Sequence, residues 1–211
     1  MLPIHFTCAR VQDWQSYHDA LNLFSAADWH AIDSVNWPDH FPYAPAVRFQ
    51  AMYNADYLLL HYAVEEEFVR ACAVRHNEAV YEDSCVECFI SFDAGNTYFN
   101  IEFNVLGTGL IGHRSTNREE KMRLDAELVN RVNTFTNVQQ IAGKKNWQII
   151  MAIPFDLLGQ DGNTLKGTSA HANFYKCGDK LPIPHYLSWQ SILTPQPTFH
   201  AVEYFGEISF L

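Results

Sequence analysis

A strict alternation of apolar and polar side chains runs through residues 98–105, which read Tyr-Phe-Asn-Ile-Glu-Phe-Asn-Val. Successive side chains of a strand point to opposite faces, so this period of two predicts a β-strand. One face should lie on a core and the other on solvent or a ligand. The core face holds Phe99, Ile101, Phe103 and Val105, and the polar face holds Asn100, Glu102 and Asn104.

Short β-prone runs recur along the rest of the chain and are separated by turn residues. Residues 47–53 and 57–64 flank a polar turn and predict a hairpin. Further strands are predicted at 85–92, 147–153, 170–175, 186–192 and 204–211, and residues 118–129 have helical character. No helices of 10–15 residues alternate with these strands, which favours an antiparallel sheet. We therefore predict an all-β, antiparallel β-sandwich of immunoglobulin or jelly-roll type with short helical segments.

The length of 211 residues suits one large sandwich domain. Because no repeat, low-complexity tract or Pro/Gly/Ser linker divides the sequence, we predict a single domain over residues 1–211. Its first 46 residues lack a strand pattern, and we expect them to form an irregular part packed on the sandwich. This part contains the three tryptophans Trp14, Trp29 and Trp37.

Charge and composition limit the partners of this chain. The net charge of −10, without a basic stripe, argues against a nucleic-acid partner. No apolar run approaches about 18 residues, which argues against a membrane-spanning helix. Aromatic residues make up 14% of the chain. This exceeds what the core needs, so some should lie at the surface, where aromatic faces meet apolar faces of ligands. The oligomeric state stays open.

The five cysteines (Cys8, Cys72, Cys85, Cys88 and Cys177) are odd in number and lack the spacing of a disulfide framework. They predict free thiols in a reducing compartment. The first residues show no signal-peptide pattern, so we expect a cytoplasmic location. A trimmed chain would look the same, which keeps a secreted or periplasmic location as an alternative. On a strand, Cys85 and Cys88 would point to opposite faces and could not share a zinc ion.

Five segments along the chain form a recognisable series. They are residues 53–58 (Tyr-Asn-Ala-Asp-Tyr-Leu), residues 82–90 (Glu-Asp-Ser-Cys-Val-Glu-Cys-Phe-Ile), residues 98–104 with Gly107 behind them, residues 147–154 (Trp-Gln-Ile-Ile-Met-Ala-Ile-Pro), and a closing group of residues 187–189, 197–200 and 205–210. No segment is specific alone, but all five occur in register. The series resembles carbohydrate-binding family 9 over residues 47–211.

The resemblance implies a non-catalytic β-sandwich that holds a sugar or a glycan chain end between two aromatic side chains at one end. By position relative to the motifs, Tyr81 and Phe199 are the two clamp residues, where the family's best-known members carry Trp. Those members carry a cation at the position of Glu102. A carboxylate there would instead accept hydrogen bonds from sugar hydroxyls. No cofactor is required.

The resemblance also implies structural calcium, although its ligands cannot be matched here residue by residue. Glu82, Asp83 and Glu87 are oxygen donors suited to a calcium or a sugar site. Trp189 is a candidate sugar contact at a closing position of the family pattern, and core packing is its more ordinary role.

Three functions are therefore weighed. In the first, Asn100 and Glu102 read sugar hydroxyls from the polar strand face, whose ordinary alternative is a solvated outer face. In the second, Glu87 and Glu102 form the carboxylate pair of a glycoside hydrolase. In the third, the chain is an interaction domain that has lost sugar binding, which the smaller clamp aromatics and Glu102 suggest.

Overall fold

The computed structural model describes residues 4–8, 16–116 and 121–211. Trp14, one of the three tryptophans of the expected irregular N-terminal part, lies outside these ranges. The strands are β1 (Ile4–Cys8), β2 (His30–Ala31), β3 (Ser34–Val35), β4 (Ala46–Tyr53), β5 (Tyr57–Glu66), β6 (Cys85–Ser91), β7 (Thr97–Asn104), β8 (Gly109–Ser115), β9 (Lys121–Arg123), β10 (Asn133–Ile141), β11 (Lys144–Pro154), β12 (Ser169–Cys177), β13 (Tyr186–Ser188) and β14 (Gly206–Phe210). The helices are α1 (Tyr17–Leu23) and α2 (Ala126–Val129), and 3-10 turns span Phe24–Ala26, Val80–Glu82, Phe155–Leu158, Gly162–Thr164 and Val202–Tyr204.

The strands form two facing sheets. The first sheet has the order β10-β11-β5-β4, with β2 also paired to β4. The second has the order β14-β12-β6-β7-β8-β9, with β13 on β12 and β3 on β13. These pairs are antiparallel, whereas β1 pairs in parallel with both β14 and β4 and so joins the sheets. The predicted antiparallel β-sandwich with short helical segments is confirmed.

Aromatic side chains fill much of the space between the two sheets. Phe49 of β4 stacks on Phe174 of β12 with ring centroids 3.9 Å apart, and Trp189 packs edge-on against both. Tyr62 of β5 is fully buried and donates a hydrogen bond of 2.9 Å to the carbonyl oxygen of Glu87 in the opposite sheet. Burial of apolar surface, at roughly 25 cal/mol per Å², holds the sheets together.

The predicted hairpin is present as β4 and β5. The Asn54 side chain closes its turn by accepting hydrogen bonds from the backbone N–H groups of Asp56 and Tyr57, at 2.9 and 2.7 Å. Strands β6, β7, β11, β12 and β14 fall on predicted runs, while β13 ends early, at Ser188. β8 and β10 were not predicted. β10 is a largely exposed edge strand without apolar alternation, and β8 contains two glycines.

Helix is scarcer, and placed differently, than the sequence suggested. Of the described residues 121–129, residues 121–123 form β9 because they pair with the free edge of β8, and helix is restricted to α2. The segment before residue 46 contains α1, whose N-cap Ser16 accepts a hydrogen bond from the backbone N–H of Asp19. Its assignment to one domain with the sandwich stays a prediction. Among the described residues, no helix has both the length and the apolar character needed to cross a bilayer.

Candidate functional site

The outer face of the second sheet carries a cavity of about 430 Å³, referred to below as the main cavity. Its floor comes from four neighbouring strands, whose outward side chains point away from the sandwich core. These floor residues are Glu87 and Phe89 of β6, Glu102 of β7, Leu110 and Arg114 of β8, and Cys177 of β12. Its walls come from the turn at Tyr81, from Arg123 of β9, from Asp179 after β12, from Tyr186 at the start of β13 and from residues 197–200. Its volume falls within the range typical of small-ligand sites.

Tyr81 and Phe199, the two predicted clamp aromatics, both line the main cavity. Tyr81 is 38% exposed, and its carbonyl oxygen accepts a hydrogen bond of 3.1 Å from the backbone N–H of Asp179. This bond ties the turn before β6 to the loop after β12. Phe199 stacks on Tyr175 with ring centroids 4.1 Å apart, so one of its faces is already covered. The rings of Trp37 and Tyr186 also approach it, with ring centroids 6.3 and 6.1 Å away.

Glu102 lies on the cavity floor and is oriented by a short chain of hydrogen bonds. Asn100 Nδ2 donates to Glu102 Oε1 at 2.7 Å, and Arg114 Nε donates to Asn100 Oδ1 at 3.1 Å. Asn100 is fully buried behind the cavity lining, so it positions Glu102 instead of facing a ligand. The polar face of β7, for which the sequence left open a solvated outer surface, is therefore buried. A Cβ atom at Gly112 of β8 would collide with the Asn100 amide oxygen, which explains the glycine there.

Two carboxyl groups face each other across the floor. Glu87 and Glu102 are direct partners in the antiparallel pair of β6 and β7, and both line the cavity. Burial raises the pKa of Glu102 to about 7, against the lowering effect of the hydrogen bond from Asn100. Burial also raises the pKa of Glu87 well above its usual range, and the neighbouring Cys177 and Glu102 add to this rise. The floor can therefore offer protonated as well as ionised carboxyl groups near neutral pH.

Two arginines and a further carboxyl group also line the main cavity. Arg114 and Arg123 supply cations from β8 and β9. Asp179 adds a third carboxyl group, whose pKa burial raises to about 6 despite a hydrogen bond from Tyr186. Donors and acceptors thus surround a space bordered by aromatic rings.

The sequence profile of carbohydrate-binding family 9 matches residues 16–210 of the chain. The chain belongs to this family. A protein from Bacteroides uniformis to which carbohydrate binding has been ascribed is 32% identical in sequence. Its crystal structure aligns over 99% of both chains with a TM-score of 0.90.

A family 9 carbohydrate-binding module from Caldicellulosiruptor kristjanssonii has a similar fold, with a TM-score of 0.60. Its cellotriose complex is 15% identical and aligns over 99% of this chain and 93% of that one. Its glucose complex is 13% identical and aligns over 100% and 96%, respectively. At these identities the likeness shows the fold alone. No curated protein sequence matches the chain.

Two other candidates from the family pattern have structural roles. Trp189 is 6% exposed and packs in the core against Phe49 and Phe174, so it lies away from the main cavity. This is the ordinary role that the sequence analysis gave as its alternative. Asp83 is buried, and its carboxylate accepts hydrogen bonds of 2.9 Å from the backbone N–H groups of Cys72 and Ala73.

A calcium site would need several oxygen ligands close together. Within the described ranges, Cys85, Glu87 and Cys177 are the group of His, Cys, Asp or Glu residues close enough together to share an ion. Two thiols and one carboxylate do not fit calcium, which takes six to eight oxygen ligands. No step of the function is therefore assigned to calcium, and the calcium implied by the resemblance stays a prediction.

A second cavity of about 490 Å³, referred to below as the side cavity, adjoins the main cavity. Arg114, Thr198 and His200 line both. His200 stacks on Phe89 with ring centroids 5.0 Å apart, and its Nδ1 lies 3.0 Å from the hydroxyl group of Tyr98. The shared residues place the two cavities side by side.

The sequence analysis did not identify several residues that line the main cavity. Arg114 and Arg123 lie on strands that were not predicted, and Asp179 and Tyr186 flank a loop without a motif. Cys177 was considered only as one of five scattered thiols. A correct strand assignment for β8 would have placed Arg114 on the same face as Glu102, since the two strands are neighbours. The loop residues carry no comparable signal.

Proposed function

We propose that this family 9 protein binds carbohydrate without catalysis, holding a sugar unit or a glycan chain end in the main cavity between Tyr81 and Phe199. The observation that carries the proposal is that these two aromatic residues line one cavity with a polar floor. A pyranose ring has apolar C–H groups on its faces and hydroxyl groups around its rim. Aromatic rings suit the faces, and carboxyl and guanidinium groups suit the rim.

The lining of the main cavity offers sugar hydroxyl groups both hydrogen-bond acceptors and hydrogen-bond donors. Glu102 is fixed by Asn100 and accepts hydrogen bonds from hydroxyl groups when ionised. Arg114 and Arg123 donate and do not accept. Because the lining combines these two cations with three carboxyl groups, it carries no excess of positive charge that would select an anionic sugar. A neutral sugar is therefore the ligand class that the cavity fits best.

The side cavity supports binding of more than one sugar unit. It borders the main cavity at Arg114, Thr198 and His200. The Caldicellulosiruptor module has been solved with glucose and with cellotriose, and these sugars are the starting ligands for this chain. A ligand that extends into the side cavity gains contacts that a monosaccharide lacks, so we expect tighter binding of oligosaccharides.

The experiment is a calorimetric titration of the protein with glucose, cellotriose and a panel of other mono- and oligosaccharides. Each sugar is also analysed for cleavage after incubation. We expect saturable binding of one ligand per chain, tighter for an oligosaccharide than for its monosaccharide, with no cleavage. Released products would show a hydrolase. A lack of binding across the whole panel would contradict the proposal and favour an interaction domain.

The hydrolase is the second candidate because Glu87 and Glu102 lie opposite each other on the cavity floor. Both have a raised pKa, as a catalytic acid requires. Glycosidases, however, place their two carboxyl groups on the two sides of the bond that is cleaved. Here both side chains rise from one face of one sheet and approach a bound sugar from the same side. The arrangement therefore favours binding over hydrolysis.

A further inference from the structure

Two buried thiols and one buried carboxyl group lie close together at the floor of the main cavity, which Glu87 and Cys177 line directly. Cys85 of β6 and Cys177 of β12 are direct partners across an antiparallel pair, and Glu87 is the next residue of β6 on the same face. Their ligand atoms all lie within 4.8 Å of one another, and Cys177 Sγ is 3.0 Å from Glu87 Oε1. Cys85 was excluded from a zinc site with Cys88, but the sheet gives it a different partner.

We propose that Cys85, Cys177 and Glu87 form a zinc-binding site. Zinc holds thiolates at about 2.3 Å and carboxylate oxygens at about 2.0–2.2 Å in a tetrahedral arrangement, which places neighbouring ligand atoms roughly 3.5–3.8 Å apart. Atoms that already lie within 4.8 Å of one another need shifts of only about 1 Å to reach this arrangement. Rotation of side chains on a rigid sheet provides such shifts.

The ligand types select the metal. Thiolates are soft ligands that favour zinc over calcium or magnesium, which prefer oxygen. Three protein ligands leave the fourth tetrahedral position open, as in zinc sites that bind water or a substrate. Glu87 and Cys177 both line the main cavity, so this open position faces the cavity. A water molecule or a hydroxyl group of a ligand can occupy it.

Apolar packing alone gives a poorer account of these three residues. Cys88, on the opposite face of β6, lies in the sandwich core among apolar side chains, as expected of a small buried thiol. Cys85 and Cys177 also pack with the apolar side chains of Ala73, Val80 and Leu110, but they share these surroundings with the carboxyl group of Glu87, which is only 3% exposed. A thiol is a weak hydrogen-bond donor and compensates poorly for burial of a carboxyl group. Coordination to a cation would stabilise all three groups.

The experiment uses the reduced, metal-free full chain without sugar and titrates it with Co²⁺, whose bonds to thiolates give a charge-transfer absorption band. We expect one Co²⁺ per chain and its displacement by one equivalent of Zn²⁺. Cys85→Ala and Cys177→Ala should each abolish the band and weaken Zn²⁺ binding by at least about 100-fold. Cys88→Ala is the matched control, because it removes an equally buried thiol from the other face of the same strand. Cys72→Ala controls for an exposed thiol.

The proposal is overturned if the wild-type chain gives no thiolate band, or if the band survives in both Cys85→Ala and Cys177→Ala. Loss of two titratable thiols without a cobalt band would indicate a disulfide between these cysteines, which also overturns it. Circular dichroism checks that each variant is folded. Glu87→Gln keeps both thiols and should retain a weaker band with lower Zn²⁺ affinity, which covers the case of a cysteine variant that does not fold. Without sugar in the assay, failure here leaves the proposed function intact.

Discussion

At the scale of single residues, the candidate site depends on a side chain that lies behind it. Asn100 connects Arg114 to Glu102 by two hydrogen bonds and is fully buried. It fits only because its neighbour across β7 and β8 is Gly112. The strand alternation identified the face on which Asn100 lies, but not that the face is covered, because the covering loops come from distant parts of the chain.

Gly112→Ala should destabilise the fold by about 1–3 kcal/mol, the usual cost of forcing extra atoms into a packed region. It should also weaken sugar binding, because a displaced Asn100 no longer holds Glu102. Urea unfolding and sugar titration measure the two effects. In an Asn100→Ala background the collision is absent, so Gly112→Ala should cost much less there. Additive costs in this double-mutant cycle would show that the two residues act independently.

At the scale of elements, a buried ion pair connects the two sheets. Lys176 Nζ of β12 lies 3.0 Å from Glu66 Oε2 of β5, and both side chains are fully buried. Trp147 of β11 donates from Nε1 to Glu66 Oε1 at 2.7 Å, and Lys176 Nζ also donates to the carbonyl oxygen of Cys177 at 2.9 Å. The pair fixes the end of β5 against the end of β12, the strand that carries Cys177 to the cavity floor.

Lys176→Met should lower the free energy of unfolding by about 3–5 kcal/mol, because it leaves the Glu66 carboxylate buried without its partner. The double variant Lys176→Met/Glu66→Gln removes the unpaired charge and keeps an acceptor for Trp147. It should therefore be more stable than the single variant. Chemical denaturation of the three proteins measures this. Equal stability of the single and double variants would show that the charge of Glu66 does not matter to the fold.

The sequence predicted those elements whose side chains alternate or form apolar runs, such as β5 and β7. It missed β10, whose side chains are largely exposed and polar, because such an edge strand is specified by its hydrogen bonds to β11 rather than by a pattern of its own. It missed β8 because glycines at positions 109 and 112 lower strand propensity, although packing against Phe103 and Asn100 requires them. Tertiary contacts decided these elements.

At the scale of the whole molecule, the family pattern placed Tyr81, Phe199 and Glu102 on what the structure shows to be one cavity. It could not supply Asp179, Arg123 or the pairing of Cys85 with Cys177, because these depend on sheet order and loop paths. The cytoplasmic location expected from the cysteines stays a prediction. Within the described ranges, Cys72, Cys85, Cys88 and Cys177 are free thiols.

The contribution of His61 to global stability should fall as the pH falls from 6.5 to 4, opposite in sign to the contributions of the buried carboxyl groups Glu87, Glu102 and Asp179, whose pKa values are raised. Burial lowers the pKa of His61 to about 4, and the nearby charge of Arg48 adds to this against a hydrogen bond with Gln148. Between these pH values the unfolded chain binds a proton at His61 that the folded chain does not. The free energy of unfolding should therefore decrease by about 3 kcal/mol across this window through His61 alone.

Urea unfolding at several pH values, for the wild type and for His61→Gln, isolates this contribution. Gln does not titrate, so the free energy of unfolding of the wild type should fall relative to that of the variant between pH 6.5 and 4. His185, whose pKa is lowered to about 3 by burial and by Lys176, keeps its own effect of the same sign in both proteins. Parallel pH profiles for the two proteins would contradict the role given to His61.

The most direct test of the account is sugar titration of Tyr81→Ala/Phe199→Ala, using the tightest ligand of the panel. Loss of two aromatic contacts, each about 0.5–1.5 kcal/mol beyond burial, should weaken binding by at least about tenfold.

Tyr81→Ala should leave the thermal midpoint nearly unchanged, whereas Phe199→Ala should lower it, because Phe199 stacks on Tyr175. Trp29→Ala, which removes an aromatic of 37% exposure outside the cavity, should bind like the wild type. A folded double variant that binds sugar as tightly as the wild type would contradict the account.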